Sequence, residues 1–263
     1  MTTVWSCCAV AVDGTVLVEV DADRVHSTAS VGKVFLLCEI AALISDGSLD
    51  PLQPVDRDPA VAVADSGLWQ HLAQERLPLV DACVLVAAVS DNWATNALLG
   101  VVSLDAVGAR ARALGCASSG LHDRVRDVRE PGDPGRLSSG TAREIAEVAR
   151  RIHAAASGHE VGGLSVSAGR LVESWLLSGV DLSLVGAPFR LDPLAHREGL
   201  LLLWSKTGSD RGVLADMGSA WRGDESVSYA AMATWSGEDA MDVPHQRMHA
   251  LGSDIRARLL PGA

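Results

Sequence analysis

Apolar residues occur as short runs near both ends of the chain. Two runs near the start flank Asp13-Gly14, a pair that favours a two-residue type I′ hairpin. Three more runs, separated by turn residues, follow one another after residue 190. Their length and bounding residues predict strands rather than helices. The five predicted strands are residues 3–12, 15–20, 199–206, 213–221 and 227–235.

The middle of the chain has helical patterns. An apolar segment opens at Ser30 and stops near Gly47, and residues 79–89 are almost entirely apolar. Thr141 and Glu144 form a capping box that begins a helix, and residues 244–260 are amphipathic. The element order predicts an α/β (α+β) fold: an antiparallel five-stranded sheet flanked by terminal helices, with an inserted helical lobe. We expect residues 1–50 with 190–263 to form the sheet lobe, residues 51–189 the helical lobe, and the active site to lie between them.

Composition excludes several kinds of partner. The chain has 263 residues and a formal net charge of −11, so neither nucleic acid nor an anionic membrane is expected to bind it. It has no apolar run of transmembrane length. The first residues lack the basic region of a secretory signal, which predicts a cytoplasmic protein unless a leader has been trimmed. Five cysteines, an odd number, fit a reducing compartment.

Three short motifs carry candidate chemistry: Ser30-Val-Gly-Lys33, Ser90-Asp-Asn92 and Lys206-Thr-Gly208. A serine hydroxyl needs a base to become a nucleophile, and Ser30 and Lys33 share one face of a helix. Burial and a second cation, which Lys206 could supply, would lower the pKa of Lys33. Each motif alone also has a structural interpretation, such as a polar helix break or a solvated lysine.

Together, in this order, the motifs resemble those of class A β-lactamases and penicillin-binding proteins. The resemblance covers nearly the whole chain and implies the β-lactamase/transpeptidase-like fold, with Ser30 as nucleophile and no metal or cofactor. It implies a small-molecule substrate that bears a carboxylate, such as a β-lactam or an acyl-peptide-like compound. The remaining implied roles are proton transfer by Lys33 and Ser90, side-chain amide binding by Asn92, oxyanion binding by the N–H groups of Ser30 and Ser209, and carboxylate binding by Lys206 and Thr207. Gly208 would let a ligand approach the backbone closely, and Arg211, just past a tight turn, could pair with the same carboxylate.

Two features depart from that family. Some members join two helices by a disulfide, but Cys38 lies one residue beyond the matching position, so Cys38 and Cys83 are expected to be buried free thiols. The loop 123–139 is about three residues short, and no glutamate falls where the family has its water-activating base. Its nearby carboxylates are Asp123, Asp127 and Glu130.

The sequence therefore predicts a serine hydrolase that opens an amide or lactam through a Ser30 acyl-enzyme. Two alternatives remain open. One is a penicillin-binding-protein-like acyl-enzyme former, or an esterase or amidase, with slow deacylation. The other is a catalytically silent scaffold that binds a carboxylate ligand.

Overall fold

A computed structural model describes residues 3–193, 200–237 and 241–260. Its main feature is a five-stranded antiparallel sheet, whose strands are β1 (Val4–Ala11), β2 (Val16–Val20), β8 (Leu202–Asp210), β9 (Val213–Arg222) and β10 (Glu225–Thr234). The strands lie in the order β2-β1-β10-β9-β8. The predicted sheet is thus confirmed, although residue 199, where one predicted strand begins, lies outside the described residues.

Most of the helices lie in the middle of the chain, and one more helix follows β10. Short strands outside the main sheet are β3 (His26–Ser27), β4 (Pro54–Asp56), β5 (Arg76–Pro78), β6 (Gly120–Leu121) and β7 (Ser138–Gly140). All of these except β3 fall within residues 51–189, which the sequence predicts to be a helical lobe. The helices are α1 (Lys33–Ser45), α2 (Leu79–Val89), α3 (Asn92–Val101), α4 (Leu104–Ala113), α5 (Ala142–Ala156), α6 (Val166–Leu176) and α7 (Asp242–Leu259).

The hairpin between β1 and β2 differs from the type I′ prediction. Four residues connect the strands, and Gly14 has a φ of +88° whereas Asp13 is not in the left-handed region. The Gly14 N–H donates to Ala11 O at 2.9 Å, and Asp13 Oδ1 accepts from Thr15 N at 2.9 Å. This local hydrogen bond holds the aspartate in an ordinary conformation, so the longer turn with one left-handed glycine forms instead.

The sheet is buried on both faces, which explains its nearly continuous apolar strands. One face packs with α1, α2, α5 and α6 into an apolar core that includes Cys8, Trp204 and Met217. The other face packs under α7, where Tyr229 and Met248 are fully buried. Cys38 and Cys83 are buried free thiols, as predicted. No helix among the described residues has the length and apolar character to span a bilayer.

Candidate active site

Ser30 lies in a single tight helical turn, Ala29–Gly32, that immediately precedes α1. The predicted helix therefore begins three residues later than Ser30. Ala29 has a φ of +44°, a strained conformation for a residue with a Cβ. Ser138 of β7 braces the turn, because its hydroxyl donates to Ala29 O at 2.5 Å and bonds Thr28 Oγ1 at 2.7 Å. These hydrogen bonds tie the turn to β7, and Ser30 is half-buried at its surface.

Lys33 is fully buried at the start of α1. Its Nζ donates to Ser90 O at 2.7 Å, to Ser90 Oγ at 3.2 Å and to Asn92 Oδ1 at 2.8 Å. Burial, reinforced by the charge of Lys206, holds the pKa of Lys33 well below its ordinary value, although Asp91 and Asp65 act in the opposite direction. The ammonium thus bridges the first two motifs, and the hydrogen bonds of the described residues include none between Lys33 and Ser30 Oγ.

The Ser90-Asp91-Asn92 motif forms the sharp corner between α2 and α3. Ser90 ends α2 in the left-handed conformation, with φ +56° and ψ +34°. Asp91 caps α3 by accepting from Ala94 N at 2.8 Å, and its other oxygen accepts from Leu68 N and Trp69 N at 2.7 and 2.8 Å. Both carboxylate oxygens of Asp91 therefore stabilise this corner, and the corner positions Ser90 and Asn92 next to Lys33.

Lys206 lies within β8 rather than at its end, because the strand continues to Asp210. Its side chain is buried, and Nζ donates to Thr207 O at 2.8 Å. Burial lowers the pKa of Lys206 to about 8, although the charges of Asp181 and Asp216 act in the opposite direction. Lys206 is therefore a cation at neutral pH that loses its charge at mildly basic pH.

Gly208 lets β8 approach the Ser30 turn. A Cβ on Gly208 would lie 2.6 Å from Thr28 O, 2.8 Å from Ser30 N and 2.9 Å from Val31 N. All three atoms belong to the backbone, so no side-chain rotation could relieve the contact. Only glycine fits here, and the fit places the two candidate oxyanion donors, Ser30 N and Ser209 N, on adjoining segments.

Two adjoining cavities, of about 260 and 310 Å³, form the cleft, and Ser66 and Ser209 line both. Ser90 and the Lys206–Ser209 segment line the first, and Ser30 and Asn92 line the second. The structure thus brings together all the predicted site residues except Arg211. That side chain is exposed at the β8–β9 turn and lines a neighbouring hollow with Trp235 and Met241.

The loop 123–139 presents few free carboxylates to this cleft. Asp123 is buried and pairs with Arg126 at 2.8 Å, and Arg126 also pairs with Asp133 at 3.1 Å. Glu130 is exposed and its backbone N–H donates to Asp133, but it does not line either cavity. Asp127 is the one predicted carboxylate of the loop that lines the cavity containing Ser30.

Asn96 fixes the part of the loop that lies nearest the cleft. Its Oδ1 accepts from Val125 N at 2.8 Å, and its Nδ2 donates to Val125 O at 2.9 Å. Val125 lines the same cavity as Ser30, so the clamped position carries an apolar side chain that cannot activate water.

Sequence reasoning misses Asn96 and two acidic residues of the cleft. Asp65 lines the cavity with Ser30 and has a φ of +74°. Asp181 lines the other cavity and accepts a hydrogen bond from Thr207 Oγ1 at 2.7 Å. Asn96 lies one helical turn after Asn92, and that spacing could have indicated it. The two aspartates stand in glycine-containing turns that carry no motif.

Fold and site together define a class of protein, a serine β-lactamase-like hydrolase. A model of the β-lactamase enzyme family matches residues 3–257, so the chain belongs to that family. This confirms the family resemblance read from the three motifs. No curated protein sequence matches the chain.

Solved structures share the fold at low sequence identity. The β-lactamase of Sphaerobacter thermophilus has a TM-score of 0.82 and 22% identity, with 99% of this chain and 94% of that chain covered. The chromosome-encoded β-lactamase of Vibrio parahaemolyticus has a TM-score of 0.79 and 16% identity, with coverage of 99% and 95%. A variant of the protein PBP-A, solved as an acyl-enzyme complex with penicillin G, has a TM-score of 0.79 and 18% identity, with coverage of 97% and 90%.

Proposed function

We propose that this chain opens a β-lactam or a related amide through an acyl-enzyme on Ser30. The observation that carries the proposal is the buried Lys33 amino group, whose Nζ lies within hydrogen-bond distance of Ser90 and Asn92 at the start of the helix that follows the Ser30 turn. A buried lysine with a lowered pKa is suited to accept a proton. The three motifs meet in one cleft, which supports a catalytic site over a silent scaffold.

In this mechanism Ser30 Oγ attacks the carbonyl carbon and passes its proton to neutral Lys33. The negative charge on the carbonyl oxygen is stabilised by the N–H groups of Ser30 and Ser209. The carbon–nitrogen bond then breaks, and the proton travels from Lys33 through the Ser90 hydroxyl to the leaving nitrogen. The 3.2 Å contact between Lys33 Nζ and Ser90 Oγ supports that relay.

Substrate binding in the proposal uses both cavities. The Asn92 amide, whose Nδ2 now donates to Ala64 O at 3.0 Å, would hold the side-chain amide of the acyl group. Lys206 would attract the carboxylate of the substrate, helped by the backbone at Gly208. Arg211 would contact only a part of the substrate that extends past Ser209, because it lines the neighbouring hollow.

Deacylation would be slow, because the loop lacks an evident base. Asp123 is engaged by Arg126, and the clamped Val125 is apolar. This favours a second candidate function, a penicillin-binding-protein-like acyl-enzyme former. Asp127 is the loop carboxylate that could still act on water, since it lines the cavity with Ser30.

Turnover of a chromogenic cephalosporin, followed together with the intact mass of the protein, tests the proposal. A β-lactamase gives repeated turnover, and a slow acyl-enzyme former gives a persistent adduct with little turnover. A silent scaffold gives neither turnover nor adduct, and that result would overturn the proposal.

A further inference from the structure

Asp181 lies on the same wall of the cleft as Lys206 and Thr207. It follows a turn after α6 whose Val180 N–H donates to Ala88 O at 3.1 Å, which anchors the turn beside α2. Asp181, Ser90, Lys206 and Thr207 all line the cavity of about 260 Å³. This acidic side chain therefore lies where the proposed mechanism places the carboxylate of the substrate.

The hydrogen bonds of Asp181 occupy both of its oxygens. Oδ1 accepts from Ser183 Oγ at 2.6 Å and from Ser183 N at 3.1 Å, while Oδ2 accepts from Thr207 Oγ1 at 2.7 Å. A hydroxyl has a single proton to donate. While Thr207 donates to Asp181, it therefore has no proton to offer to a substrate oxygen.

Asp181 also adds a negative charge to this wall. Its partial desolvation favours the neutral acid, but the hydrogen bonds from Ser183 and Thr207 and the charge of Lys206 outweigh it, and the pKa of Asp181 is lowered. The wall thus carries one ammonium and one carboxylate at neutral pH. An incoming carboxylate meets attraction from the first and repulsion from the second.

We infer that Asp181 is a specificity-determining residue, which competes with the carboxylate of a substrate for Thr207 and for the charge of Lys206. Acyl donors that present a neutral group or an ammonium at this position are accepted as readily as donors that present a carboxylate. This inference rests on the proposed function, because it concerns the substrate of the same cleft.

The test compares a chromogenic cephalosporin with its methyl ester on the wild-type chain and on Asp181→Asn. Asparagine has the same shape and can still accept from Ser183 N, while its N–H₂ group would release the Thr207 proton. The acid-to-ester ratio of acylation rate constants is expected to be near one in the wild type. It is expected to rise by about tenfold or more in Asp181→Asn.

Asp210→Asn is the matched control. It removes one exposed charge from the end of β8, where Asp210 lines the cavity that contains Ser30 and accepts from the Arg211 N–H but shares no hydrogen bond with Thr207. Its acid-to-ester ratio should change much less than that of Asp181→Asn. An unchanged ratio in Asp181→Asn, or an equal rise in Asp210→Asn, would overturn the inference while leaving Ser30 acylation standing.

A binding measurement separates this inference from the mechanism. Calorimetry on Ser30→Ala, with and without Asp181→Asn, measures the affinities for the same acid and ester without chemistry. A preference for the acid that appears only with Asp181→Asn supports the inference, even where no Ser30 adduct forms and the proposed mechanism fails. The inference would be contradicted if Ser30→Ala discriminated between the acid and the ester equally with and without Asp181→Asn. It would also be contradicted if neither compound bound to either protein.

Discussion

The contact between Gly208 and the Ser30 turn gives the sharpest prediction for catalysis. Gly208→Ala would place a Cβ 2.6–2.9 Å from three backbone atoms, so β8 and the turn must separate by roughly 0.5–0.8 Å to reach ordinary contact at 3.4 Å. The separation moves Ser30 N and Ser209 N apart. Loss of one oxyanion donor typically lowers the rate by about 10²–10³-fold, or roughly 2.7–4 kcal/mol.

The assay is the second-order rate constant of acylation by a penicillin, read as the growth of the adduct mass. Gly100→Ala is the matched control, since Gly100 lies in α3 with no atom within 4 Å of its added Cβ. That control should keep the wild-type rate and gain about 0.5–1 kcal/mol of stability from the helix. If Gly208→Ala still shows a cooperative thermal unfolding transition and acylates within about twofold of wild type, the proposed oxyanion geometry is wrong.

Three further predictions concern the charged groups of the cleft. Lys33→Ala should slow acylation by about 10²–10⁴-fold, because the proposed general base is lost; a smaller loss in a stopped-flow assay would remove Lys33 from that role. The pKa of Lys206 is about 8, so kcat/KM for a carboxylate substrate should fall as the pH rises through that value. Lys206→Arg should keep its kcat/KM over the same pH range, because arginine stays charged. An identical fall in both proteins would refute this. Rapid mixing with a cephalosporin should give a burst of about one equivalent followed by slow turnover, because only deacylation lacks its base. Glu130→Gln should leave the burst and the turnover nearly unchanged. Fast turnover that Glu130→Gln abolishes would instead identify Glu130 as the base.

Much of this molecule is predictable because its signals are local. The strands around Gly208 and the helix that begins at Lys33 follow from runs of apolar residues, and the three-residue spacing puts Ser30 one turn before Lys33. The helix break at Ser90 follows from a polar corner between two apolar helices. Such features need only neighbouring residues, so a single sequence reveals them.

Contacts between distant segments escape the same reasoning. Thr207 and Asp181 are separated by 26 positions, and their hydrogen bond depends on how the turn after α6 packs beside α2. The Asn96 clamp on Val125 likewise joins a helix to an irregular loop. The predicted type of the first hairpin was wrong, because the hydrogen bond that Asp13 Oδ1 accepts from Thr15 N outweighed the preference of the dipeptide. The division into residues 1–50 with 190–263 and residues 51–189 stays a prediction.

Peptide mapping after incubation with penicillin G shows directly whether Ser30 is the nucleophile. Ser30 lies at a helix start, one turn from a buried lysine, and should be the acylated residue. The mass of one penicillin should be added to the peptide that contains Ser30, and Ser30→Ala should abolish the adduct in an otherwise folded protein. An adduct on another serine, or an adduct that persists in Ser30→Ala, would contradict it.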